Sequence, residues 1–240
     1  SGKTLSAKVI GTDPRTDLAL LKVNESGNYP FVQLATGKPR IGEWVLAVGN
    51  PFGLGGTVTA GIVSAQGRDI GSGPYDDFLQ IDAAVNRGNS GGPTFNQKGE
   101  VIGVNTAIYS PSGGNVGIAF AIPAATVQSV VEQLKEHGSV ARGFIGVQIQ
   151  PVTAEVADAI GLKDAKGALI AEAQANGPAA KAGLKRGDTI LAVNGEKIAD
   201  ARDLSKKIAT FAPGAKTSLT IWRDGKEREV TFEVGRQPAA

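Results

Sequence analysis

The sequence predicts a mainly β protein in which an antiparallel barrel is followed by a smaller unit of mixed strands and helices. Glycine accounts for 33 of the 240 residues, roughly twice its usual share of about 7%, and it recurs between short Val- and Ile-rich runs. Before residue 123 no helical pattern of ten residues interrupts these runs, so their connections suit an antiparallel barrel. Beyond residue 143, strand-like and helix-like segments alternate, which indicates a second unit.

The first part of the chain reads as consecutive strands. In the opening stretch "SGKTLSAKVIG", apolar Leu5, Ala7 and Val9 alternate with polar neighbours. Clusters of Gly, Pro, Asn and Asp separate the strand candidates that follow, at 18–23, 44–49, 56–65, 78–81, 100–109 and 116–122. Pro123 then introduces a helix whose apolar face carries Val127, Val130, Val131 and Leu134, and Gly138 ends it.

The second part has its own strands and helices after a junction at residues 137–143. The strand candidates are 144–149, 168–173, 189–195, 217–223 and 228–234. A short turn and helix, "GPAAKAGL", lies among them, followed by a longer helix at 200–211. Asp200 suits the start of that helix because its carboxylate accepts bonds from free amides, and Leu204, Ile208 and Phe211 form one apolar stripe.

Composition excludes several classes of function. The net charge is +2 with both signs mixed along the chain, so nucleic acid is not a predicted partner, and no apolar run is long enough to span a bilayer. Without cysteine there is no disulfide framework, thiol catalysis or cysteine metal site. We interpret Asp76 and Asp77 as a solvated loop pair, and no metal or other cofactor is predicted. Methionine is also absent, so we expect a fragment or a processed form.

The stretch "AVNRGNSGGPTF" (84–95) carries the chemistry. Its loop of the form Gly-Asn-Ser-Gly-Gly lets the backbone amides of Gly88 and Ser90 point at one spot beside the Ser90 hydroxyl. Such a pair of amides stabilises the oxyanion that forms when a serine attacks a carbonyl. An ordinary Gly-rich turn is the alternative on these residues alone.

The wider motifs resemble the HtrA/Deg family of trypsin-like serine endopeptidases. "DAAVNRGNSGGP" lies between "GNPFGLGGTVTAGIVSA" and "GEVIGVNTA", and "TDLALLKV" (16–23) resembles the segment that carries the family's catalytic aspartate. Residues 143–234, beginning with "GFIGV", resemble a PDZ domain. The resemblance implies a trypsin-like protease domain over residues 1–138, containing the second antiparallel β-barrel and the end of the first. It implies a PDZ domain, an α+β partly open barrel, over residues 139–236.

The resemblance also implies roles for individual residues. Ser90 is the expected nucleophile, Asp17 the residue that orients the catalytic imidazole, and Gly88 an amide of the oxyanion hole. The expected walls of the primary specificity pocket are Val85, Ile108 and Ile118, for which plain barrel core is the alternative. An apolar pocket with branched aliphatic walls predicts cleavage after small or medium aliphatic residues.

The chain contains one histidine, His137, at the predicted helix end, where a histidine is favourable against the helix dipole. In the family, the catalytic histidine lies upstream of the aspartate, and the sixteen residues before Asp17 leave no room for it. We therefore expect that this chain carries two of three triad members and is itself inactive.

In the PDZ-like part, an extended peptide is expected to add as a strand between the "FIGVQI" strand and the 200–211 helix. Phe144, Ile145, Gly146 and Val147 are the expected peptide-binding residues, and the loop ending at Gly146 presents backbone amides to the peptide's terminal carboxylate. Arg142 is a candidate for charge assistance, with a solvated junction arginine as the alternative. In the loop 67–78, which is poor in apolar anchors, the resemblance implies that Arg68 relays PDZ or subunit occupancy to the active site. A solvated arginine is the alternative.

Two classes of function stay open. One is a serine endopeptidase of protein quality control, a stress-response enzyme that degrades unfolded or mislocalised polypeptides. The other is a peptide-binding or chaperone module without hydrolysis. Unfolded proteins and peptide C-termini are the expected partners, and the resemblance implies a periplasmic location and a parent that assembles as a homotrimer or larger.

Overall fold

The computed structural model describes residues 3–238, and the chain divides into two compact units, residues 1–140 and 141–240. The first unit is a hairpin, a barrel and a helix. The hairpin pairs β1 (Ala7–Asp13) with β2 (Leu18–Val23). The barrel strands are β3 (Trp44–Gly49), β4 (Thr57–Arg68), β5 (Phe78–Ile81), β6 (Pro93–Phe95), β7 (Val101–Ile108) and β8 (Ala119–Pro123), and the helix is α1 (Ala124–His137).

The six barrel strands close in the order β3-β4-β5-β8-β7-β6, and every pair is antiparallel. Alternate side chains of a strand point to opposite faces, so Val45 and Ala47 of β3 are buried inside while Trp44 and Leu46 are exposed outside. The apolar core comprises Ala35, Val45, Ala47, Val63, Leu79, Ile81, Ala83, Val85, Ile102, Ala119 and Ala121. The mainly β fold with an antiparallel barrel is therefore confirmed.

Helix α1 follows the barrel and buries Val127, Val130 and Leu134, three residues of the predicted apolar face. It ends at Gly138, which adopts the left-handed conformation with φ 68° and donates its N–H to Leu134 O. The hairpin lies against this helix end: a Cβ on Gly11 would lie 2.4 Å from the carbonyl oxygen of Gly138. Only glycine permits so close an approach.

The second unit is a sheet with helices. Its elements are β9 (Gly143–Phe144), β10 (Val147–Pro151), α2 (Ala154–Ile160), β11 (Ala168–Ala173), α3 (Pro178–Lys181), β12 (Thr189–Val193), β13 (Glu196–Lys197), α4 (Ala201–Ala209), β14 (Lys216–Arg223), β15 (Lys226–Glu233) and β16 (Gly235–Arg236). The sheet order is β10-β11-β12-β14-β15, with β13 beside β12 and a separate β9–β16 pair. Leu204 and Ile208 of α4 are buried against Ile190, Leu219 and Ile221 of the sheet.

Several elements differ from the sequence-based expectations. Helix α2 and the short strands β6, β13 and β16 were not predicted. Helix α2 has seven residues and buries one, Ala157, too few to show a periodic apolar face. The strand predicted at 144–149 is broken at Ile145–Gly146, where Gly146 has φ 77°. Among the helices of residues 3–238, none has the length and apolar character needed to cross a membrane.

Candidate active site and peptide groove

Ser90 lies in an exposed turn between β5 and β6. Its Oγ donates a hydrogen bond to the backbone carbonyl of Thr106, at 3.1 Å. The turn is anchored to β7 by two backbone bonds, Gly91 N–H to Asn105 O at 2.8 Å and Asn105 N–H to Gly92 O at 2.9 Å. The hydroxyl is therefore carried on a turn fixed to a barrel strand.

The backbone around Gly88 is held by the segment after β3. Phe52 N–H donates to Arg87 O at 2.8 Å, and Asn50 N–H donates to Gly88 O at 3.2 Å. Gly88 has φ 100°, and a Cβ there would lie 2.2 Å from the Asn50 carbonyl oxygen, so this position requires glycine. In a trans peptide the N–H and C=O point in opposite directions. Arg87 C=O and Gly88 N–H belong to the same peptide, and Arg87 O points toward Phe52. The Gly88 N–H therefore points away from Phe52.

The same geometry applies to the amide of Ser90. The carbonyl before it, Asn89 O, accepts from Gly92 N–H at 2.9 Å, so the Ser90 N–H points away from Gly92. Within residues 3–238, neither the Gly88 nor the Ser90 amide donates to another group of the chain. Two backbone donors beside a hydroxyl are the groups that a developing oxyanion requires.

Asp17 is brought to this turn from the hairpin. It lies in the turn between β1 and β2 with φ 58°, next to Thr16, whose Oγ1 donates to the buried Asp13 at 2.5 Å. Asp17 Oδ2 accepts a bond of 2.5 Å from Thr106 Oγ1. Thr106 therefore contacts both predicted catalytic residues, Ser90 through its carbonyl and Asp17 through its hydroxyl.

The three predicted pocket residues have different surroundings. Val85 is 2% exposed and belongs to the barrel core, and Ile108 is partly buried against that core. Ile118 is also partly buried, and its carbonyl accepts a bond from Tyr109 N–H at 3.0 Å. The apolar character of all three positions is consistent with both the pocket and the core interpretation.

The other predicted site residues of the first unit lie on different elements. His137 is the last residue of α1, with a side chain 67% exposed and Nε2 3.7 Å from Glu136 Oε2. Arg68, exposed at the end of β4, donates from Nε to Gln80 Oε1 at 2.8 Å. Asp76 is 3% exposed, so its interpretation as a solvated residue is wrong. Its carboxylate accepts bonds from Ile70 N–H, Ser72 N–H and Ser72 Oγ.

In the predicted peptide-binding loop of the second unit, two backbone carbonyls accept hydrogen bonds from neighbouring segments of the same unit. Ile145 O accepts from Ala179 N–H, and Gly146 O accepts from Gln174 N–H, both at 2.9 Å. Each trans peptide then directs the following N–H, that of Gly146 or Val147, away from these partners. Val147 lies opposite Ala173 in the antiparallel pair of β10 and β11. Because the bond from Gln174 N–H to Gly146 O flanks these two residues, they form a non-hydrogen-bonded pair, and the Val147 N–H points outward from the sheet edge. A free edge with outward amides can accept an extended peptide.

Comparison with known proteins gives matches over both units. Residues 1–104 match the family described as the trypsin-like peptidase domain, and residues 143–234 match the PDZ domain. A protein of Bartonella henselae named "Probable periplasmic serine endoprotease DegP-like" is 65% identical over 238 residues. One with the same name from Rhizobium meliloti is 59% identical over 239 residues. These alignments cover 99% of this chain and 47% of each relative, so the chain spans about half the length of these curated relatives.

A solved structure decides the family. The HtrA-type protease AlgW, in a structure with a decapeptide, superposes with a TM-score of 0.89 at 43% identity. The match covers 100% of this chain and 74% of that one. The chain belongs to the HtrA proteases. The expected family, the trypsin-like barrel and the PDZ fold are thus confirmed for this HtrA chain.

Sequence reasoning missed the residues that connect the site of this HtrA protease. Thr106 lies in the motif "GEVIGVNTA", which carried the family resemblance without a role for the threonine. Asn86 and Asn115, described below, gave no signal. Their partners lie up to 30 residues away, and a polar residue in a loop is too common to indicate a role by its type.

Proposed function

We propose that the whole HtrA protein is a serine endopeptidase that cleaves unfolded or mislocalised polypeptides through an acyl-enzyme. The observation that carries this proposal is the Ser90 hydroxyl in a turn whose Gly88 and Ser90 amides donate to no acceptor of residues 3–238. In this reaction Ser90 Oγ attacks the scissile carbonyl carbon, a base takes the hydroxyl proton, and the carbonyl oxygen gains charge between the two amides. The leaving amine takes the proton, and water then releases the acyl group.

A histidine of the whole protein, outside residues 1–240, is the proposed base. Ser90 Oγ donates to a carbonyl, whereas His137 is exposed beside Glu136. Asp17, fixed by Thr106, would accept a hydrogen bond from that imidazole and hold its orientation. Residues 1–240 alone are then expected to be inactive, because an unactivated serine hydroxyl is a weak nucleophile.

Val85, Ile108 and Ile118 are the proposed walls of the specificity pocket, which favours an aliphatic residue before the scissile bond. The PDZ edge β10, with Phe144, Ile145, Gly146 and Val147, is the proposed groove for peptide C-termini. The peptide complexes of AlgW support peptide binding in this family.

Arg68 is the proposed relay between peptide binding and the active site. By the names of the relatives, the proposed location is the periplasm, and a homotrimer or larger assembly is the proposed quaternary state.

The test is proteolysis of a denatured protein by the full-length enzyme and its Ser90→Ala variant. We expect cleavage to fall by roughly a thousandfold or more in the variant, with PDZ peptide binding unchanged. Retained cleavage would remove Ser90 from the mechanism. The second candidate, a peptide-binding or chaperone module, is supported by the free β10 edge. Peptide binding without any cleavage by the wild-type protein would favour that candidate.

A further inference from the structure

Two asparagines connect the segment before Ser90 to the loop between β7 and β8. Asn86 Oδ1 accepts a hydrogen bond from the backbone N–H of Asn115, at 3.0 Å. In return, Asn115 Nδ2 donates to the backbone carbonyl of Val85, also at 3.0 Å. An asparagine amide carries both a donor and an acceptor, so this pair forms a two-way clasp across 29 to 30 residues of sequence.

On one side, the clasp holds a loop that is already organised internally. Asn115 Oδ1 accepts from Gly117 N–H at 2.8 Å, one residue before the proposed pocket wall Ile118. Ser110 Oγ accepts from Gly113 N–H at 2.8 Å and donates to Gly114 O at 2.5 Å. The three polar groups of Asn115 thus bind three different places, and the loop 109–118 behaves as one piece.

On the other side, the clasp reaches the turn that presents the oxyanion amide. The backbone carbonyl of Asn86 accepts from Asn89 N–H at 3.0 Å, which closes the turn around Gly88. Asn86 therefore connects to the Gly88 turn through its backbone and to the loop 109–118 through its side chain. Both asparagines are partly buried, so water competes less for these bonds than at an open surface.

We propose that Asn86 and Asn115 are positioning residues that fix the distance between the pocket wall at Ile118 and the oxyanion amide of Gly88. They thereby set how strictly the enzyme selects the residue before the scissile bond. This inference rests on the proposed function. An apolar pocket discriminates between aliphatic side chains only while its walls resist displacement. A loosened clasp lets the loop move outward and admits larger side chains.

The first experiment measures the clasp directly, in the full-length protein and without any measurement of activity. Backbone amide hydrogen exchange is followed by NMR in Asn115→Ala, in Asn86→Ala and in a matched control, Asn28→Ala, whose side chain is exposed. We expect exchange at Asn89 to accelerate about tenfold in both variants, and exchange at Gly117 to accelerate in Asn86→Ala, where its acceptor on Asn115 is retained. Both amides should stay unchanged in the control. Equal exchange in all three would overturn the clasp.

The second experiment measures selectivity in the full-length enzyme. The ratio of kcat/KM for a peptide with Val before the scissile bond to that for a Phe peptide is determined for each variant. We expect this ratio to fall about tenfold in Asn86→Ala and Asn115→Ala. Asn86→Asp keeps the acceptor for Asn115 N–H, so we expect its ratio to equal that of the wild-type enzyme. The added charge affects catalysis on both peptides alike and cancels in the ratio. Asn115→Asp loses the donor to Val85 O and behaves like the alanine variant.

The two possible failures are distinguishable. In the first case, the wild-type enzyme is selective and its Asn115→Ala variant is equally selective, with unchanged thermal stability. This result overturns the clasp as a determinant of specificity and leaves the proposed protease function unaffected. A wild-type enzyme that cleaves neither peptide overturns the proposed function and this inference together. Asn115→Asp is isosteric with the native residue, so the comparison holds even where an alanine variant folds poorly.

Discussion

At the scale of single residues, Thr106 organises the candidate site. Its carbonyl accepts the Ser90 hydroxyl and its own hydroxyl binds Asp17, across 89 residues of sequence. A substitution of the side chain separates these two contacts, because the backbone carbonyl remains in every variant. Asp17 is exposed and has a positive φ, so this hydrogen bond restricts a side chain that would otherwise be free to rotate.

We expect Thr106→Val to lower kcat/KM of the full-length enzyme by about tenfold, through the proposed role of Asp17 in orienting the imidazole. Valine preserves the shape of threonine but has no hydroxyl for Asp17, and a misoriented catalytic group slows the reaction without preventing binding. Thr106→Ser restores the donor and should restore most of the activity. Steady-state kinetics on an aliphatic peptide check the prediction. It fails if the valine and serine variants are equally active.

At the scale of elements, the loop between β4 and β5 is more ordered than its composition indicates. It is rich in glycine and poor in apolar anchors, and the sequence predicted low local stability. A single buried carboxylate, that of Asp76, accepts bonds from two backbone amides and one hydroxyl of residues 70 and 72. The hydrogen bonds to Asp76 therefore order a loop that is poor in apolar residues.

We expect Asp76→Ala to destabilise the loop locally by at least about 1.5–3 kcal/mol, the contribution of one hydrogen bond to a charged group, because it removes the shared acceptor of two amides and one hydroxyl. Amide exchange at Ile70 and Ser72 should accelerate, while Val63 in the barrel core keeps its protection. The neighbouring exposed residue provides the control, Asp77→Ala, which should leave Ile70 and Ser72 unchanged. Slow exchange in Asp76→Ala would contradict the prediction.

At the scale of the whole molecule, each unit has its own apolar core. The barrel core surrounds Val63 and Ile81, and the core of the second unit surrounds Leu204 and Ile221. All four side chains are essentially inaccessible to solvent. Because the two cores are separate, we expect a substitution in one core to lower the stability of that unit alone.

We expect Leu204→Ala to lower the stability of the second unit by about 2–5 kcal/mol, because it removes buried methyl groups and leaves a cavity. Amide exchange should accelerate at Ile190 and Ile221 and stay unchanged at Val63 and Ala121. Ile81→Ala should give the reverse pattern. Equal acceleration in both units after either substitution would show that the two cores unfold as one.

The sequence by itself determined the features that depend on local pattern. Strands such as 18–23, 44–49 and 168–173 coincide with the predicted runs, because strand period and turn residues act over a few positions. The turn around Ser90 was also predicted from its glycines, which permit the backbone dihedral angles that such a loop needs. The motifs around Ser90 predicted the HtrA fold through their resemblance to that family, and the comparisons confirm it.

Only the tertiary structure decided which distant groups meet. The bond from Thr106 to Asp17, the Asn86–Asn115 clasp and the burial of Asp76 each involve a polar residue of ordinary loop composition. Such residues are solvated in most loops, so their types carry no signal. Closure of the barrel brings β7 against β6 and β8, which places Thr106 within hydrogen-bond distance of Ser90, whereas Asp17 reaches Thr106 from the separate β1–β2 hairpin. The physical reason is that side-chain hydrogen bonds depend on spatial approach, which local periodicity does not encode.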